Sequence, residues 1–349
     1  MNNNNRENFL ANDLEHILNH TQDIWENFRD SRIFITGGTG FFGCWLLESF
    51  AWANYKLQLN AEAVILTRNK EGFLNKAPHL ASNPAIKFHT GDVRDFKFPE
   101  YAFSHIIHAA TDTSWKLKKE NPLLLYNSIY EGTKRVLEFA VHCKAKNLLF
   151  ISSGAVYGKQ PYSVAHISEE YNGSPSTVDL GSAYGIGKRS AEHLCLLYSK
   201  KFGISIKIAR CFSFIGPYLP LDGNYAIGNF IANGLSEEQI EVKGDGTPFR
   251  SYLYAADLAI WLWIILIKGK SCHPYNVGSG NEITITELAT TIAKCFNSRQ
   301  GIKISKLSKK NIEIERYVPA IDRAQKELGL KEYIALIDSI KRTIKWHKE

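Results

Sequence analysis

A tyrosine and a lysine four residues apart are the side chains of this sequence best suited to proton transfer. They begin and end the stretch YGIGK, from Tyr184 to Lys188, which lies in a predicted helix. Residues four apart share one face of a helix, so the phenol and the ammonium point into the same space. A neighbouring cation favours the phenolate and lowers the pKa of a tyrosine toward a useful range. An apolar strand ending in Ser152-Ser153 precedes this helix, which completes a Ser-Tyr-Lys constellation.

A glycine-rich turn near the start of the chain is the second chemical signal. The stretch TGGTGFFG, from Thr36 to Gly43, lies between an apolar strand and an apolar helix. Glycines let the backbone turn tightly and approach a ligand, while the amides and dipole of a helix N-terminus attract phosphate. The turn in this setting predicts the pyrophosphate site of a dinucleotide.

The end of the second predicted strand bears on which dinucleotide binds. An acidic residue there holds a free ribose hydroxyl, and a basic residue accepts a 2′-phosphate. Here the strand ends Thr67-Arg68-Asn69-Lys70, without an acid, which favours NADP over NAD. Alternatively, Arg68 stacks on the adenine or faces water. Asp92, after the third strand, is placed to accept a hydrogen bond from the adenine amine, although an aspartate that caps a turn would look the same.

The elements that position these residues alternate along the chain. Continuous apolar strands separated by helical stretches predict a parallel sheet covered on both faces. The predicted strands are 32–36, 63–67, 86–89, 105–110, 147–153 and 204–210. The fold class is therefore α/β, a Rossmann doubly wound parallel sheet with a smaller mixed α/β substrate domain toward the C-terminus.

This pattern also predicts domain boundaries. Residues 1–30 form a helical appendage, and residues 31–213 with about 254–277 form the dinucleotide-binding domain. After Arg210 the alternation of strands and helices ends, and short segments separated by glycine and proline follow. Residues from about 214 to 253, together with 278–349, are therefore predicted to form the smaller domain.

Composition excludes several classes of protein. With 44% hydrophobic and 22% charged residues in 349, the chain has the balance of a globular protein. The net charge of +7 comes from interspersed basic and acidic residues, so we expect no nucleic-acid partner. The N-terminus has no apolar signal core, and the apolar run 258–267 is too short to span a membrane. Six scattered cysteines without a CxxC pair indicate a reduced, cytoplasmic protein without a metal site.

Together the motifs TGGTGFFG, GDVRD, HAA, SSGAVYG and YGIGK resemble the extended short-chain dehydrogenase/reductase family, within the group that modifies nucleotide-diphosphate sugars. The resemblance implies that Tyr184 is the acid/base, Lys188 a ribose ligand that modulates its pKa, and Ser153 a hydrogen-bond donor to the reacting oxygen. It implies substrate contacts for Ser152, Asn229 and Arg250. The cofactor-binding residues that follow are Gly37, Thr39, Gly40, Phe41, Phe42, Gly43, Arg68, Asp92, Val93, Ala109, Ala110, Tyr184 and Lys188.

The sequence departs from this family in ways that limit the chemistry. Dehydratases of the family carry aspartate and glutamate after the residue that matches Ser153, and decarboxylases keep the glutamate; here Gly154 and Ala155 stand there. Elimination then lacks an obvious acid or base. Ser213 stands where relatives commonly carry asparagine, so the resemblance does not show how the substrate is bound at this position. A long segment, 159–182, contains His166, Glu169 and Glu170, either as a lid over the sugar or as a surface loop.

Two catalytic functions fit these residues. One is NADP(H)-dependent reduction of the C4 ketone of a nucleotide-diphosphate 4-keto-6-deoxysugar, with Tyr184 as proton donor, and Arg68 favours it. The other is NAD-dependent 4-epimerisation of a nucleotide sugar. A non-catalytic dinucleotide sensor would not need Tyr184 and Lys188 together. Relatives often dimerise through helices that match 123–143 and 183–201, which implies a homodimer.

Overall fold

A seven-stranded parallel sheet lies at the centre of the protein. The computed structural model describes residues 3–111, 119–223, 225–296, 301–306 and 313–349. Seven strands form the central sheet in the spatial order β11-β6-β5-β4-β1-β2-β3. These strands are β1 (Arg32–Thr36), β2 (Glu62–Thr67), β3 (Ile86–Thr90), β4 (His105–His108), β5 (Asn147–Ser153), β6 (Ser205–Cys211) and β11 (Pro274–Val277). From β1 the chain adds strands toward one edge of the sheet, and from β4 it adds them toward the other edge. This reversal between β1 and β4 confirms the predicted doubly wound α/β class.

Helices cover both faces of this sheet, as its parallel strands require. The helices are α1 (Asn3–Thr21), α2 (Phe41–Leu57), α3 (Lys70–Lys76), α4 (Pro78–Ala81), α5 (Pro122–His142), α6 (Ala183–Phe202), α7 (Ala226–Leu235), α8 (Ala255–Lys268), α9 (Ile285–Cys295), α10 (Asp322–Leu328) and α11 (Leu336–Lys348). Side chains of β1 alternate between the faces: Ile33 and Ile35 pack with α2 and α8, whereas Phe34 packs with α5. The sheet therefore has a separate apolar core on each face.

The apolar segment that contains 258–267 is a buried helix of the main core. Residues 255–266 of α8 are all buried, and α8 packs against α1, α2 and β5. Within the residues that the structure describes, no helix combines the length and apolar character needed to cross a bilayer.

The N-terminal segment is part of the same core. Leu14 and Ile17 of α1 pack with α8, and Trp25 in the following 3-10 turn (Gln22–Phe28) packs 4.9 Å from Trp263, centroid to centroid. Asp13 anchors α1 further, because it accepts a hydrogen bond from Tyr254 and pairs with Arg342 of α11. The predicted helix at the N-terminus is therefore present, and it buries apolar side chains against α8.

Short strands and helices of the later chain form a second layer. These strands are β7 (Phe214–Ile215), β8 (Ile240–Val242), β9 (Phe249–Arg250), β10 (Leu253–Tyr254), β12 (Ile283–Thr284), β13 (Ile302–Ile304) and β14 (Arg316–Tyr317). β9 lies between β12 and β14, β8 pairs with β13, and β10 pairs with β7. A separate apolar core lies between α7, α9 and α11 and contains Ile227, Phe230, Leu288 and Ile340. The boundary numbers of the two domains stay a prediction.

We expect the substitution Leu14→Ala in α1 to lower the free energy of unfolding by about 3 kcal/mol, because it leaves a cavity in a packed core. Leu14 is 4% exposed. Chemical denaturation measures the loss. Leu180→Ala is the matched control, since Leu180 is 81% exposed and its truncation should cost under about 0.5 kcal/mol. Equal stability of both variants would show that α1 does not contribute to the core.

Candidate active site

The glycine turn after β1 approaches a neighbouring strand end so closely that no side chain fits. Gly37 has a φ of +73°, and a Cβ on it would lie 2.6 Å from the carbonyl carbon of Ala109. A Cβ on Gly43 would lie 2.3 Å from the carbonyl carbon of Gly38. These glycines allow the turn to pack flat against the end of β4 and against the start of α2. The sequence-predicted residues Ala109 and Ala110 thus lie directly beside the turn.

A buried histidine connects the strands beneath the turn. His108 Nδ1 lies 2.7 Å from Thr36 Oγ1, and His108 Nε2 lies 3.1 Å from Thr133 Oγ1 in α5. The backbone N–H of Ala110 donates to Thr36 Oγ1 as well. Burial lowers the pKa of His108 to about 3, so the imidazole is neutral near pH 7. The histidine of the HAA stretch therefore joins β1, β4 and α5 beneath the glycine turn as a neutral side chain.

Helix α2 begins at this turn with free donors. Its N-cap is Gly40, whose position has no side chain to satisfy the first backbone N–H groups, including those of Phe41 and Phe42. Lys76 Nζ donates to Thr39 O at 3.0 Å and places a cation beside the turn. Unsatisfied amides, the positive end of the helix dipole and a lysine suit a pyrophosphate. The residues therefore fit a dinucleotide.

Arg68 and Asp92 lie at the adjacent strand ends, as predicted. The Arg68 side chain is 72% exposed, and its Nη1 lies 3.9 Å from Asp92 Oδ2. Arg94 binds the same carboxylate at 2.7 Å and holds the pKa of Asp92 below its usual value. The backbone N–H of Arg94 also donates to Asp92 Oδ1, so this aspartate caps its own turn. Val93, the residue after Asp92, packs against Gly132 of α5.

The Ser-Tyr-Lys constellation assembles where β5 and α6 meet. Ser153 ends β5, and its hydroxyl lies near enough to Tyr184, in the first turn of α6, to lower the pKa of that phenol. Both lie at the carboxyl edge of the sheet, on the same side as the glycine turn. Burial raises the pKa of Tyr184, and the nearby Ser153 hydroxyl only partly offsets this effect. The sequence predicted that Lys188 lowers the pKa of Tyr184. In the structure the pKa of Tyr184 is raised instead, because desolvation of the phenolate is the largest effect.

Lys188 is buried one helical turn beyond Tyr184. Its ammonium donates to Thr111 Oγ1 at 2.8 Å and to Ile151 O at 2.7 Å. Burial lowers the pKa of Lys188 to about 8, which leaves the ammonium as the main form near pH 7. The side chain extends between the end of β4 and β5, and its contact with a cofactor ribose stays a prediction.

Ser152 does not join this group. Successive residues of a strand face opposite sides of the sheet, and the Ser152 hydroxyl donates to Glu192 of α6. Glu192 in turn pairs with Arg210 at 2.7 Å, and both side chains are largely buried. The predicted contact of Ser152 with substrate stays a prediction, and in the structure its hydroxyl bonds to a side chain of the protein.

Arg250 and Asn229 lie in the second layer. Arg250 Nη2 pairs with Glu315 at 2.6 Å, and strand register places Arg250 beside Tyr317. Asn229 lies in the first half of α7, partly exposed, with its backbone N–H bonded to Tyr225 O. The predicted substrate roles of Arg250 and Asn229 stay predictions, and a diphosphate at Arg250 would compete with Glu315.

Two tyrosines near the constellation carry no motif and were not predicted. The Tyr317 hydroxyl lies 2.7 Å from the Cβ position of Gly154, next to Ser153 in the chain, and Tyr225 lies close enough to influence the pKa values of Tyr184 and Tyr317. Tyr317 is more than 130 residues from Ser153 in the chain, so only the folded structure brings them together. An indirect signal is Gly154, whose missing side chain leaves space that Tyr317 fills.

The long segment 159–182 is attached to the protein through the three residues that the sequence singled out. Glu169 accepts from the backbone N–H of Asn276 at 2.8 Å, and Glu170 pairs with Arg323. His166 Nε2 lies 2.9 Å from Gly280 O. These contacts give all three side chains structural partners. Within the described part of the chain, no group of three or more His, Cys, Asp or Glu side chains is arranged to hold a metal ion.

This geometry defines a class: a Rossmann enzyme with a dinucleotide cradle beside a serine–tyrosine–lysine group. The sequence profile of the NAD dependent epimerase/dehydratase family matches residues 33–278, which is more than half of the chain. The chain therefore belongs to that family, which confirms the resemblance seen in its motifs.

Similar proteins illustrate the range of the family. The chain is 30% identical over 311 residues to UDP-glucuronic acid decarboxylase 6 of Arabidopsis thaliana, covering 88% of this chain and 86% of the relative. A dTDP-glucose 4,6-dehydratase structure from Streptomyces venezuelae has a TM-score of 0.78 at 22% identity, over 91% of this chain and 97% of that one. A UDP-glucuronic acid 4-epimerase structure from Bacillus cereus has a TM-score of 0.77 at 22% identity, over 91% and 99%. The two structures share the fold.

We expect Gly37→Ala to abolish dinucleotide binding, because its Cβ would meet the backbone of Ala109, which cannot move aside without displacing β4. Gly203→Ala is the matched control, since Gly203 has a φ of +71° but nothing within 4 Å of its Cβ position. It should lose about 1 kcal/mol of stability and keep its affinity. Calorimetric titration with NAD and NADP measures binding. Retained affinity in Gly37→Ala would place the cofactor elsewhere.

Proposed function

We propose that the protein reduces the C4 ketone of a nucleotide-diphosphate 4-keto-6-deoxysugar with NADPH. The neighbouring hydroxyls of Ser153 and Tyr184, beside the glycine turn, are the single observation that supports this most. Two neighbouring hydroxyls can converge on one carbonyl oxygen. A ketone held there would accept a hydride at carbon and a proton at oxygen.

The residues of this chain would divide the reaction as follows. NADPH, when bound, supplies the hydride. Ser153 holds the carbonyl oxygen, and Tyr184 gives its proton to that oxygen as the C–O double bond becomes an alcohol. Because burial raises its pKa, Tyr184 carries this proton throughout the neutral range. The ammonium of Lys188 stabilises the phenolate that remains until solvent returns a proton.

The surroundings of Gly154 argue against dehydration and decarboxylation, although the similar proteins include both kinds of enzyme. A Cβ at Gly154 would lie 2.7 Å from Tyr317 Oη and 2.7 Å from Phe212 Cζ. A carboxylate at this position would need both rings to move. The resemblance assigns the acid and base of those reactions to positions 154 and 155, and here neither position has a titratable group.

A 4-epimerase is the second candidate, since it uses the same three residues. It would transfer a hydride from C4 of the sugar to bound NAD. The 4-keto sugar would then rotate in the site and take the hydride back on its opposite face. The exposed Arg68 favours the reductase, because its guanidinium lies 3.9 Å from its acidic partner among the described residues, Asp92, and is accessible to a 2′-phosphate.

A homodimer is a further part of the proposal. Helices α5 and α6 pack against each other, and apolar side chains remain exposed on them. Leu123 is 69% and Leu197 51% exposed. A second copy of the chain would cover these side chains.

We expect Tyr184→Phe to reduce turnover by about a hundredfold or more, because the proton donor is lost, while nucleotide-sugar affinity remains. NADPH consumption at 340 nm with 4-keto nucleotide sugars measures the rate. Tyr55→Phe is the control, since Tyr55 is 72% exposed on α2, away from the site. If Tyr184→Phe lost no turnover and kept the wild-type response to binding partners, a non-catalytic dinucleotide sensor would be favoured.

We expect Arg68→Ala to weaken NADPH binding by about 10-fold to 100-fold and to leave NADH binding unchanged, because only NADPH has the 2′-phosphate. NADH thus serves as the internal control. Mass spectrometry of the dinucleotide released from the denatured wild type comes first. Stoichiometric NAD in that sample would overturn the reductase and make the 4-epimerase the leading candidate.

A further inference from the structure

Asp92 lies between two arginines at the strand ends that are predicted to face the adenosine of the cofactor. Strands β2 and β3 are adjacent and parallel, and the backbone N–H of Gly91 donates to Thr67 O at 3.1 Å just beyond them. Arg68 follows Thr67 and Asp92 follows Gly91, so this bond holds the two chain segments side by side. Arg94, two residues further on, folds its side chain back onto Asp92.

The two arginines bind Asp92 unequally. Arg94 forms a fork, in which Nε donates to Oδ1 at 2.7 Å and Nη2 donates to Oδ2 at 3.2 Å. The backbone N–H of Arg94 donates to Oδ1 as well, at 3.0 Å. Arg68 Nη1 lies 3.9 Å from Oδ2, which is beyond hydrogen-bond distance. The carboxylate is therefore bonded to Arg94, and the Arg68 side chain remains 72% exposed.

The acceptor capacity of Asp92 limits what else it can bind. A carboxylate accepts at about four positions, two on each oxygen. Arg94 fills both positions on Oδ1 and one on Oδ2, so one position on Oδ2 remains for the adenine amine. Without the Arg94 side chain two more positions would open. Arg68, the other arginine beside Asp92, would then be the cation placed to form a fork with the carboxylate.

A free carboxylate at this place would oppose NADPH in two ways. It would repel the negative 2′-phosphate, and it would bind the Arg68 guanidinium that the phosphate needs. Asp92 is ionised near pH 7, because Arg94 holds its pKa below the usual value. The neighbouring Asp95 attracts Arg94 too, but the fork with Asp92 is the main cause of the raised pKa of Arg94. Arg94 therefore neutralises Asp92 in particular.

We propose that Arg94 is a positioning residue for cofactor selection, which neutralises Asp92 and leaves the Arg68 guanidinium to bind the 2′-phosphate. The inference rests on the assignment of Arg68 to the 2′-phosphate in the proposed function. The adenine is the same in both dinucleotides, so its contact with Asp92 contributes equally to NADPH and NADH. Arg94 thus acts on the preference between the two cofactors.

The test is a calorimetric titration of the full chain with NADPH and with NADH, which gives the ratio of their Kd values. We expect Arg94→Ala to reduce the preference for NADPH about fivefold, because a bare carboxylate would lie beside the phosphate. Arg94→Lys should restore part of the preference, since an ammonium supplies the charge without the fork. In the Asp92→Asn background, Arg94→Ala should change the preference by less than about twofold, because no carboxylate remains to be neutralised.

The salt dependence and a matched arginine separate this role from a purely structural one. The effect of Arg94→Ala should shrink as salt is added, because the charges are partly exposed and are screened. Arg29→Ala is the control: Arg29 pairs with Glu26 at 2.7 Å and is 40% exposed, against 39% for Arg94. Arg29 also donates to Gln58 O, at the end of α2 opposite the glycine turn, so the cofactor preference should stay unchanged. Thermal denaturation checks that each variant is folded.

An unchanged preference in Arg94→Ala would contradict the inference, and so would an equal loss in the Asp92→Asn background. The titration uses no sugar, so a chain that shows the expected changes but reduces no 4-keto nucleotide sugar would count against the reductase alone. A wild type that prefers NADH, yet binds NADPH still more weakly after Arg94→Ala, would also retain the inference and contradict the reductase. A wild type that binds only NADH would contradict both.

Discussion

The close approach of two backbone segments at Gly37 and Ala109 is the constraint on which the rest of the site depends. It exists because β1 and β4 are adjacent parallel strands whose carboxyl ends meet at one edge. The reversal of strand order at this point opens a crevice between the two loops. With the buried Thr36–His108 pair beneath it, the turn presents the N-terminus of α2 to the crevice, and β5 and α6 bring Ser153 and Tyr184 to the same edge.

A second position without a side chain shapes the chemistry in a similar way. Gly154 follows Ser153 directly, and the space that it leaves is filled from the other end of the sequence by Tyr317 and from β6 by Phe212. A phenol therefore fills the space that a side chain at position 154 would need. The same family fold can host different reactions because such exchanges alter the site without altering the sheet.

Buried polar pairs hold the layers around this edge. Arg210 and Glu192 pair behind β5, and Arg210 also donates to Tyr157, whose hydroxyl reaches Asn276 of β11. Removing one member of such a pair would strand a buried charge, which costs several times more than the pair contributes. These contacts explain why a polar residue, Ser152, is accommodated beside the apolar Leu148 and Phe150 on one face of β5.

The sequence by itself determined the sheet, the glycine turn and the Ser153–Tyr184 group, because each depends on local periodicity or on residues at fixed spacing along one strand or helix. It could not show that the Ser152 hydroxyl bonds to Glu192, since that contact depends on the packing of α6 against β5. Nor could it find Tyr317, which only the pairing of β14 with β9 brings to Ser153. The direction of the Tyr184 pKa likewise came from tertiary structure, because desolvation depends on everything packed around the phenol and not on the neighbouring lysine alone.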